Sequence, residues 1–87
     1  MASIYKYLLV PSDEIWVDMP PDSEVLSVGV QNGEMFLWAK VDDSSDRTQG
    51  YRFFVRGTGH PLTGEEGRFI GTVQMRGGSL IFHVFEG

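Results

Sequence analysis

The sequence predicts an all-β fold, a single small antiparallel β-sandwich or barrel-like meander of about seven short strands. Apolar residues recur with a period of two or in short runs, and no stretch keeps the i, i+3, i+4, i+7 spacing of a helix for three turns. Glycine, proline, asparagine and aspartate interrupt these runs at short intervals, which is typical of sheets with many short strands. With 87 residues, the chain forms one domain over residues 1–87.

Turn and loop residues delimit the strands. Pro20 and Pro21 end the second strand, because proline fixes φ and has no amide donor. Two stretches, residues 42–50 and residues 57–67, are predicted to be loops. The segments predicted as strands are 3–10, 14–19, 24–31, 34–41, 51–56, 68–75 and 79–85.

Two of the connections are predicted to be hairpins. Asn32 and Gly33 tolerate the two positive φ angles of a type I′ turn between two β-patterned segments. Gly77 and Gly78 allow the chain to reverse between the last two strands. Each hairpin makes two consecutive strands antiparallel neighbours.

Several strands are apolar on both faces. The fourth places Phe36 and Trp38 opposite its other apolar side chains, and the last one alternates in the same way. One face lines the core, and the second needs a cover. An identical subunit would supply it, so we expect a homodimer or larger assembly with Phe36, Trp38 and the last strand in the contact. The alternative is a closed, strongly coiled sheet in which the ends of each strand face inward at different places.

Composition excludes several classes of function. The chain has no cysteine, which rules out disulfides, thiolate zinc sites and a cysteine nucleophile. Its formal net charge of -5 argues against general binding to nucleic-acid backbones. No apolar run approaches the ~18 residues that span a bilayer. We therefore expect no membrane partner, no cofactor and a cytoplasmic location.

The positive charge is concentrated in the second half of the chain. Residues 1–46 carry nine acids and two lysines, whereas residues 47–87 carry five arginines and three glutamates. Arg52, Phe54 and Arg56 share one face of the fifth strand, where the ring could stack on a base and the guanidinium groups could hold phosphates. The alternative is a surface on which the arginines pair with carboxylates, the candidates being Glu65, Glu66 and Asp46.

A glycine-rich loop follows this strand directly. Gly57 and Gly59 allow backbone amides to converge on an anion. Thr58 adds a hydroxyl, and His60 adds an imidazole that can act as a donor or a proton acceptor. The alternative is a tight turn that needs positive φ at both glycines. The candidate ligand-binding residues are Arg52, Phe54, Arg56, Gly57, Thr58, Gly59 and His60.

Neither a metal site nor a catalytic site is predicted. His60 and His83 lack the i, i+2 or i, i+4 spacing of zinc ligands, and Arg47 stands where a calcium loop needs glycine. His83 lies within an aromatic strand and is predicted to be a hydrogen-bonded structural histidine. The chain contains no nucleophile elbow or triad signature, so the sequence favours a binding function over an enzymatic one.

Three stretches together carry a resemblance to a known family. They are residues 28–42 with Gln31-Asn32-Gly33 and Leu37-Trp38-Ala39, then Gly57-Thr58-Gly59-His60-Pro61, and then Phe69-Ile70-Gly71-Thr72 leading through Gly77-Gly78 to Phe82-His83-Val84-Phe85. The pattern resembles short proteins encoded by tailed bacteriophages and prophages, over almost the whole chain. The resemblance implies a phage gene product in the bacterial host cytoplasm and carries over no catalytic residue.

Two functions of different classes remain open. The first is a homo-oligomeric protein that sequesters a phosphorylated, nucleotide-type signal, which would be an anti-defence role. The second is a protein–protein interaction module, either an inhibitor of a host factor that mimics nucleic acid through the acidic half or a minor phage structural component. A small nucleotide hydrolase is the enzymatic alternative.

Overall fold

The computed structural model describes residues 1–87 and forms a β-sandwich of two antiparallel sheets, which confirms the predicted fold class. A single short turn of 3-10 helix, Arg76–Gly78, is the only helical element, so no helix has the length and apolarity of a membrane span. The strands are β1 (Ala2–Leu9), β2 (Glu14–Met19), β3 (Glu24–Gln31), β4 (Glu34–Asp42), β5 (Gln49–Gly57), β6 (Arg68–Met75) and β7 (Leu80–Glu86).

The strand order is β1-β4-β3 in one sheet and β2-β5-β7-β6 in the other. Both predicted hairpins are confirmed, since β3 pairs with β4 and β6 pairs with β7. β1 pairs with β4 and β2 with β5 because the chain crosses between the sheets after β1, β2 and β4, and β5 pairs with β7 because β6 lies at the edge. Of the two predicted architectures, the sandwich is therefore the one observed, and the meander is confined to the two hairpins.

The two hairpin turns differ in backbone detail. Asn32 and Gly33 have φ angles of 53° and 78°, as a type I′ turn requires. The second turn has positive φ at Gly77 and Gly78 and also at Arg76. Because β6 and β7 pair up to the end of β6, this turn spans four residues and not two.

The core lies between the two sheets. Along β4 the buried side chains alternate with Phe36 and Trp38, which lie on the outer face, as the period of two predicts. Phe53 from β5 is the largest fully buried side chain that the opposing sheet contributes to this core. The buried core consists of Leu9, Val17, Met19, Val25, Met35, Leu37, Ala39, Val41, Phe53, Val55, Val73 and Val84.

The sandwich is closed along one side and open along the other. β3 packs along β6, and the two strands approach so closely that a Cβ at Gly71 would lie 3.0 Å from Val28 Cγ2. Each of these two strands has a register shift, one after Val25 and one after Phe69. On the opposite side β1 and β2 make few contacts. One long edge of the three-stranded sheet is therefore left free.

We predict that Gly67→Ala is strongly destabilising. Gly67 has a φ of +74°, and a Cβ there would collide with the carbonyl oxygen of Glu86. Positive φ alone costs a non-glycine residue ~1 to 3 kcal/mol, and the collision adds to it. Urea unfolding should show a larger loss than for Gly33→Ala, where φ is +78° and an added Cβ would meet no atom within 4 Å. Equal losses in the two variants would contradict the close approach to β7.

Candidate functional site

β5 carries the predicted arginine site on the outer face of the four-stranded sheet. Phe53 and Val55 belong to the core, and the residues that alternate with them point the other way. Arg52, Phe54 and Arg56 therefore share one face, as the sequence predicts.

The ring of Phe54 is already covered. The guanidinium carbons of Arg52 and Arg56 lie 4.5 Å and 5.1 Å from its centroid. Gly87 lies against its edge, where a Cβ would come within 2.7 Å of Cε2. Only 2% of the residue is exposed, so the ring offers no free face on which a base could stack in this structure.

Arg52 is paired with two carboxylates. Its Nε and Nη2 donate to Glu14 Oε2 at 3.0 Å and 2.7 Å, and Nη2 also donates to Glu65 Oε2 at 3.1 Å. The hydrogen bond between Arg52 and Glu14 is the main reason why the pKa of Glu14 is lowered and that of Arg52 is raised. Sequence reasoning missed Glu14, because it lies 38 positions from Arg52 and only the pairing of β2 with β5 brings them together.

Arg56 is buried and forms an internal ion pair. Its Nε donates to Glu66 Oε2 at 3.0 Å, and both side chains are about nine-tenths buried or more. Its Nη1 donates to the main-chain oxygens of Asp13 at 2.8 Å and Val55 at 3.2 Å. The guanidinium group of Arg56 is thus bound within the protein. Glu65 and Glu66 are two of the carboxylates that the sequence suggests as partners of the arginines, and they bind Arg52 and Arg56 respectively.

Glu66 is fixed by the loop that contains it. Backbone amides of Thr63 and Gly64 donate to its carboxylate at 2.8 Å and 2.9 Å, and the Thr63 hydroxyl donates at 3.1 Å. These hydrogen bonds, that of the Thr63 amide first, lower the pKa of Glu66 to about 2 in spite of its burial. The loop therefore presents a permanent internal anion to Arg56.

The glycine loop forms a tight turn. The amide of His60 donates to the carbonyl of Gly57 at 3.0 Å, and Gly59 has a φ of +88° at the third position, as a type II turn requires. The predicted positive φ at Gly57 is wrong. Glycine is favoured at that position because the His60 ring packs on it, and a Cβ there would lie 2.9 Å from Cε1. The amide of His60 is committed to the turn.

His83 is a half-buried structural histidine, as predicted. Hydrogen bonds join its Nε2 to the Thr58 hydroxyl at 2.8 Å and its Nδ1 to the Thr72 hydroxyl at 2.9 Å. No carboxylate stands behind the ring, which a Ser-His-Asp type of triad needs for orientation. The two threonine–histidine hydrogen bonds tie the loop to β6 and β7.

A surface cleft of about 440 Å³ lies beside Arg56. Three of the seven predicted ligand-binding residues line it, whereas Gly57 and Thr58 line a neighbouring cleft of about 240 Å³. Three carboxylates and one guanidinium group face the larger cleft, so its charge does not favour an anion. The lining residues are Asp13, Glu14, Phe54, Arg56, His60, Pro61, Thr63 and Glu65.

The carboxylate of Asp42, at the end of β4, accepts hydrogen bonds from the acidic segment that follows. Asp42 Oδ1 accepts hydrogen bonds from the Ser44 hydroxyl at 2.6 Å and from the Ser44 amide at 3.1 Å. These bonds, together with the terminal ammonium group of Met1, lower the pKa of Asp42 to about 2. Nowhere do three His, Asp or Glu side chains converge closely enough to hold one metal ion.

Comparison with known families gives one match. The model of a family described as a domain of unknown function, DUF7352, matches residues 1–87. No curated protein and no solved structure matches the chain significantly. The match names no activity and no source, so the phage setting stays a prediction from the resemblance.

We predict that the chain loses stability in acid through Glu66. Its pKa in the folded protein is about 2 against an ordinary value of 4.5, so its contribution is present above pH 4.5 and is lost as the pH falls towards 2. Glu66→Gln should be less stable at neutral pH and should unfold with a shallower dependence on pH in this window. Chemical unfolding between pH 2 and 7 measures both effects.

We predict that Asp42→Asn removes a second contribution to the loss of stability in acid. The pKa of Asp42 is also lowered to about 2, but by contacts with Ser44 and the terminal ammonium group, which Glu66 does not share. The two substitutions should therefore remove independent parts of the acid dependence, and the double variant should lose both. A Glu66→Gln variant with the full pH dependence of the parent would contradict the bonding pattern described for Glu66.

Proposed function

We propose that this chain, which belongs to the DUF7352 family, is a non-enzymatic protein–protein interaction module that works as a homo-oligomer. The description of the family names no activity, so the role of the chain is inferred from its own surfaces. The proposal rests on the outer face of the three-stranded sheet, where apolar and aromatic side chains have no covering layer. We call this surface the aromatic face, formed by Ile4, Lys6, Leu8, Glu34, Phe36, Trp38 and Lys40.

The centre of the aromatic face is apolar and is held by contacts among its own side chains. The rings of Phe36 and Trp38 lie 6.3 Å apart, and Lys6 Nζ lies 4.5 Å from the Phe36 centroid. Beside them Ile4 is 63% exposed and Leu8 is 46% exposed. Aromatic anchors with restricted side chains, surrounded by apolar contacts, are the residues that dominate the energy of protein–protein contacts.

A second copy of the chain is the partner that fits this surface. Along β4 the outward side chains are Glu34, Phe36, Trp38 and Lys40, in that order. A twofold axis that reverses the strand direction places each glutamate opposite a lysine and each phenylalanine opposite a tryptophan. The face is therefore self-complementary, because each acid meets a base and each aromatic ring meets another aromatic ring.

The contact expected from the sequence is too broad for one interface. It combines Phe36 and Trp38 with the last strand, but β7 lies in the other sheet, and its outward residues face the opposite side of the sandwich. A single twofold contact cannot contain both surfaces. We assign the contact to the aromatic face, because His83 and Phe85 on β7 already have partners in Thr72 and Phe69.

We predict that charge reversal weakens the dimer and that double reversal restores it. Lys40→Glu places two acids opposite each other in both symmetric pairs, and the loss of pairs worth ~0.5 to 1 kcal/mol each weakens association roughly 5- to 30-fold. Adding Glu34→Lys should restore the parental association constant, which sedimentation equilibrium at micromolar concentrations measures. Arg47→Glu makes the same charge change on an exposed loop and is the control. A 9.8 kDa monomer at all concentrations overturns the proposal.

Nucleotide sequestration is the second candidate, and the cleft beside Arg56 and His60 supplies the space for such a ligand, although its three carboxylates oppose an anion. An anionic ligand that binds Arg52 through Nη2 would compete with Glu14 and Glu65, which both accept hydrogen bonds from that nitrogen. The ligands with suitable chemistry are phosphorylated nucleotides, cyclic or linear, since these present the oxygens that guanidinium groups bind.

Calorimetric titration with cyclic and linear nucleotides tests this second candidate. Glu65→Gln removes one of the competing anions and should tighten binding about threefold to tenfold if Arg52 holds the ligand. Asp46→Asn makes the same charge change on another exposed loop and should leave the affinity unchanged. Absence of heat with every nucleotide, or equal affinities for all three proteins, would remove the candidate.

The anti-defence role, the phage setting and the host cytoplasm are proposals that rest on the resemblance alone. Inhibition of a host factor and a structural role in the phage particle are both compatible with a self-associating module. Neither needs a catalytic group, and both use exposed surface of the kind described for the aromatic face.

A further inference from the structure

Three of the four sheet edges are protected against the addition of another strand. The edges of the two sheets are β1, β2, β3 and β6. β3 and β6 cover each other and have irregular registers. β2 has only six residues, is followed by Pro20 and carries the charges of Glu14 and Asp18. Short length, proline, irregularity and charge are the devices by which proteins block strand addition.

β1 has none of these devices. It is eight residues long, pairs with β4 in an uninterrupted register and contains no proline. Its one charged residue, Lys6, is drawn over the sheet, because its Nζ donates to Gln31 Oε1 at 2.7 Å and lies over the Phe36 ring. The lysine charge therefore does not block the pairing of another strand with this edge.

The pairing with β4 determines which backbone groups face outward. The amide of Asp43 donates to the carbonyl of Met1 at 3.0 Å, and the register continues unbroken from Ala2 opposite Asp42. In an antiparallel pair, bonded and non-bonded positions alternate. The odd-numbered residues of β1 thus bond to β4, and the even-numbered ones direct their amides and carbonyls away from it. The outward set is Ala2, Ile4, Lys6 and Leu8.

The inner face beside this edge is also incomplete. Tyr5 stands opposite Ala39, a fully buried core residue, and so belongs to the inner face. Nevertheless Tyr5 is 45% exposed, because the sandwich is open between β1 and β2. A strand added to β1 would place a further side chain against Tyr5.

We propose that the free edge of β1 pairs antiparallel with β1 of a second copy, with a twofold axis at Tyr5. This contact uses the backbone edge of β1, whereas the aromatic face uses side chains of the same strand and of β4, and it goes beyond the proposed function. It joins two three-stranded sheets into one of six strands. The axis places Ile4 of each copy opposite Lys6 of the other and Ala2 opposite Leu8, so that seven residues pair and the two lysines do not face each other.

A proline in β1 tests the contact at the level of the backbone. Ile4→Pro removes an outward amide that the monomer does not use, and proline is tolerated at such edge positions. The variant should keep the far-ultraviolet spectrum of the parent and lose the edge contact in sedimentation velocity experiments. Ile4→Ala removes most of the same side chain from the aromatic face but keeps the amide, so it should retain the edge contact and isolates the effect of the missing amide. Unchanged assembly of a folded Ile4→Pro variant overturns the proposal.

Disulfide trapping tests the register. A twofold axis at Tyr5 makes this residue a non-bonded pair with Cα atoms about 4.5 Å apart, which a disulfide can bridge. Because the chain has no cysteine, Tyr5→Cys should oxidise to a covalent dimer in high yield. Ser3→Cys on the same strand should stay monomeric on a denaturing gel, since the two copies of that residue lie ~14 Å apart. The reverse result, or no covalent dimer from Tyr5→Cys, overturns the assignment.

The masses of three variants separate this contact from the aromatic face. With both contacts present, Ile4→Pro and Lys40→Glu should each reduce the assembly, and the double variant should sediment as a 9.8 kDa monomer. If Ile4→Pro alone yields monomers while Lys40→Glu has no effect, the edge contact stands and the proposed aromatic contact fails. If Lys40→Glu alone yields monomers while Ile4→Pro has no effect, the edge contact fails.

Discussion

Seven strands in two layers enclose one core, so each strand has a second face that the fold itself does not bury. The chain fills that single core with side chains that alternate along β4 and β5. The apolar side chains on the two outer faces are covered in different ways. On the four-stranded sheet, two arginines and the terminal Gly87 cover Phe54. On the three-stranded sheet, Lys6 covers part of Phe36, and the rest of the outer face has no covering layer.

The same residues that suggest a phosphate site are neutralised within the chain. Glu65 and Glu66 bind the guanidinium groups of Arg52 and Arg56 much as an anionic ligand would. Removing one partner of the buried pair would leave an uncompensated charge, which is far more costly than the pair is stabilising. Charge compensation within the loop is therefore the physical reason for placing protein contact ahead of anion binding.

Much of the fold follows from local signals in the sequence. The Asn32-Gly33 turn and the alternation along β4 are properties of neighbouring residues, and both are found as predicted. The partners of the arginines require long-range information, because β2 reaches β5 only through the sheet. The exchange of strands between sheets is likewise non-local. The sequence suggests Glu66 as a possible partner, but its capture by the Thr63 and Gly64 amides depends on how the loop folds.

The unequal protection of the four edges also limits how far strand addition can go. A chain with two open edges can add a copy on each side and grow into a fibre, whereas a chain with one open edge has none left after a single pairing. The register shifts of β3 and β6 and the short, acidic β2 therefore disfavour strand addition at the other three edges. If β1 pairs with β1 of a second copy, as proposed, no open edge remains, and growth in the direction of the sheet ends at two copies.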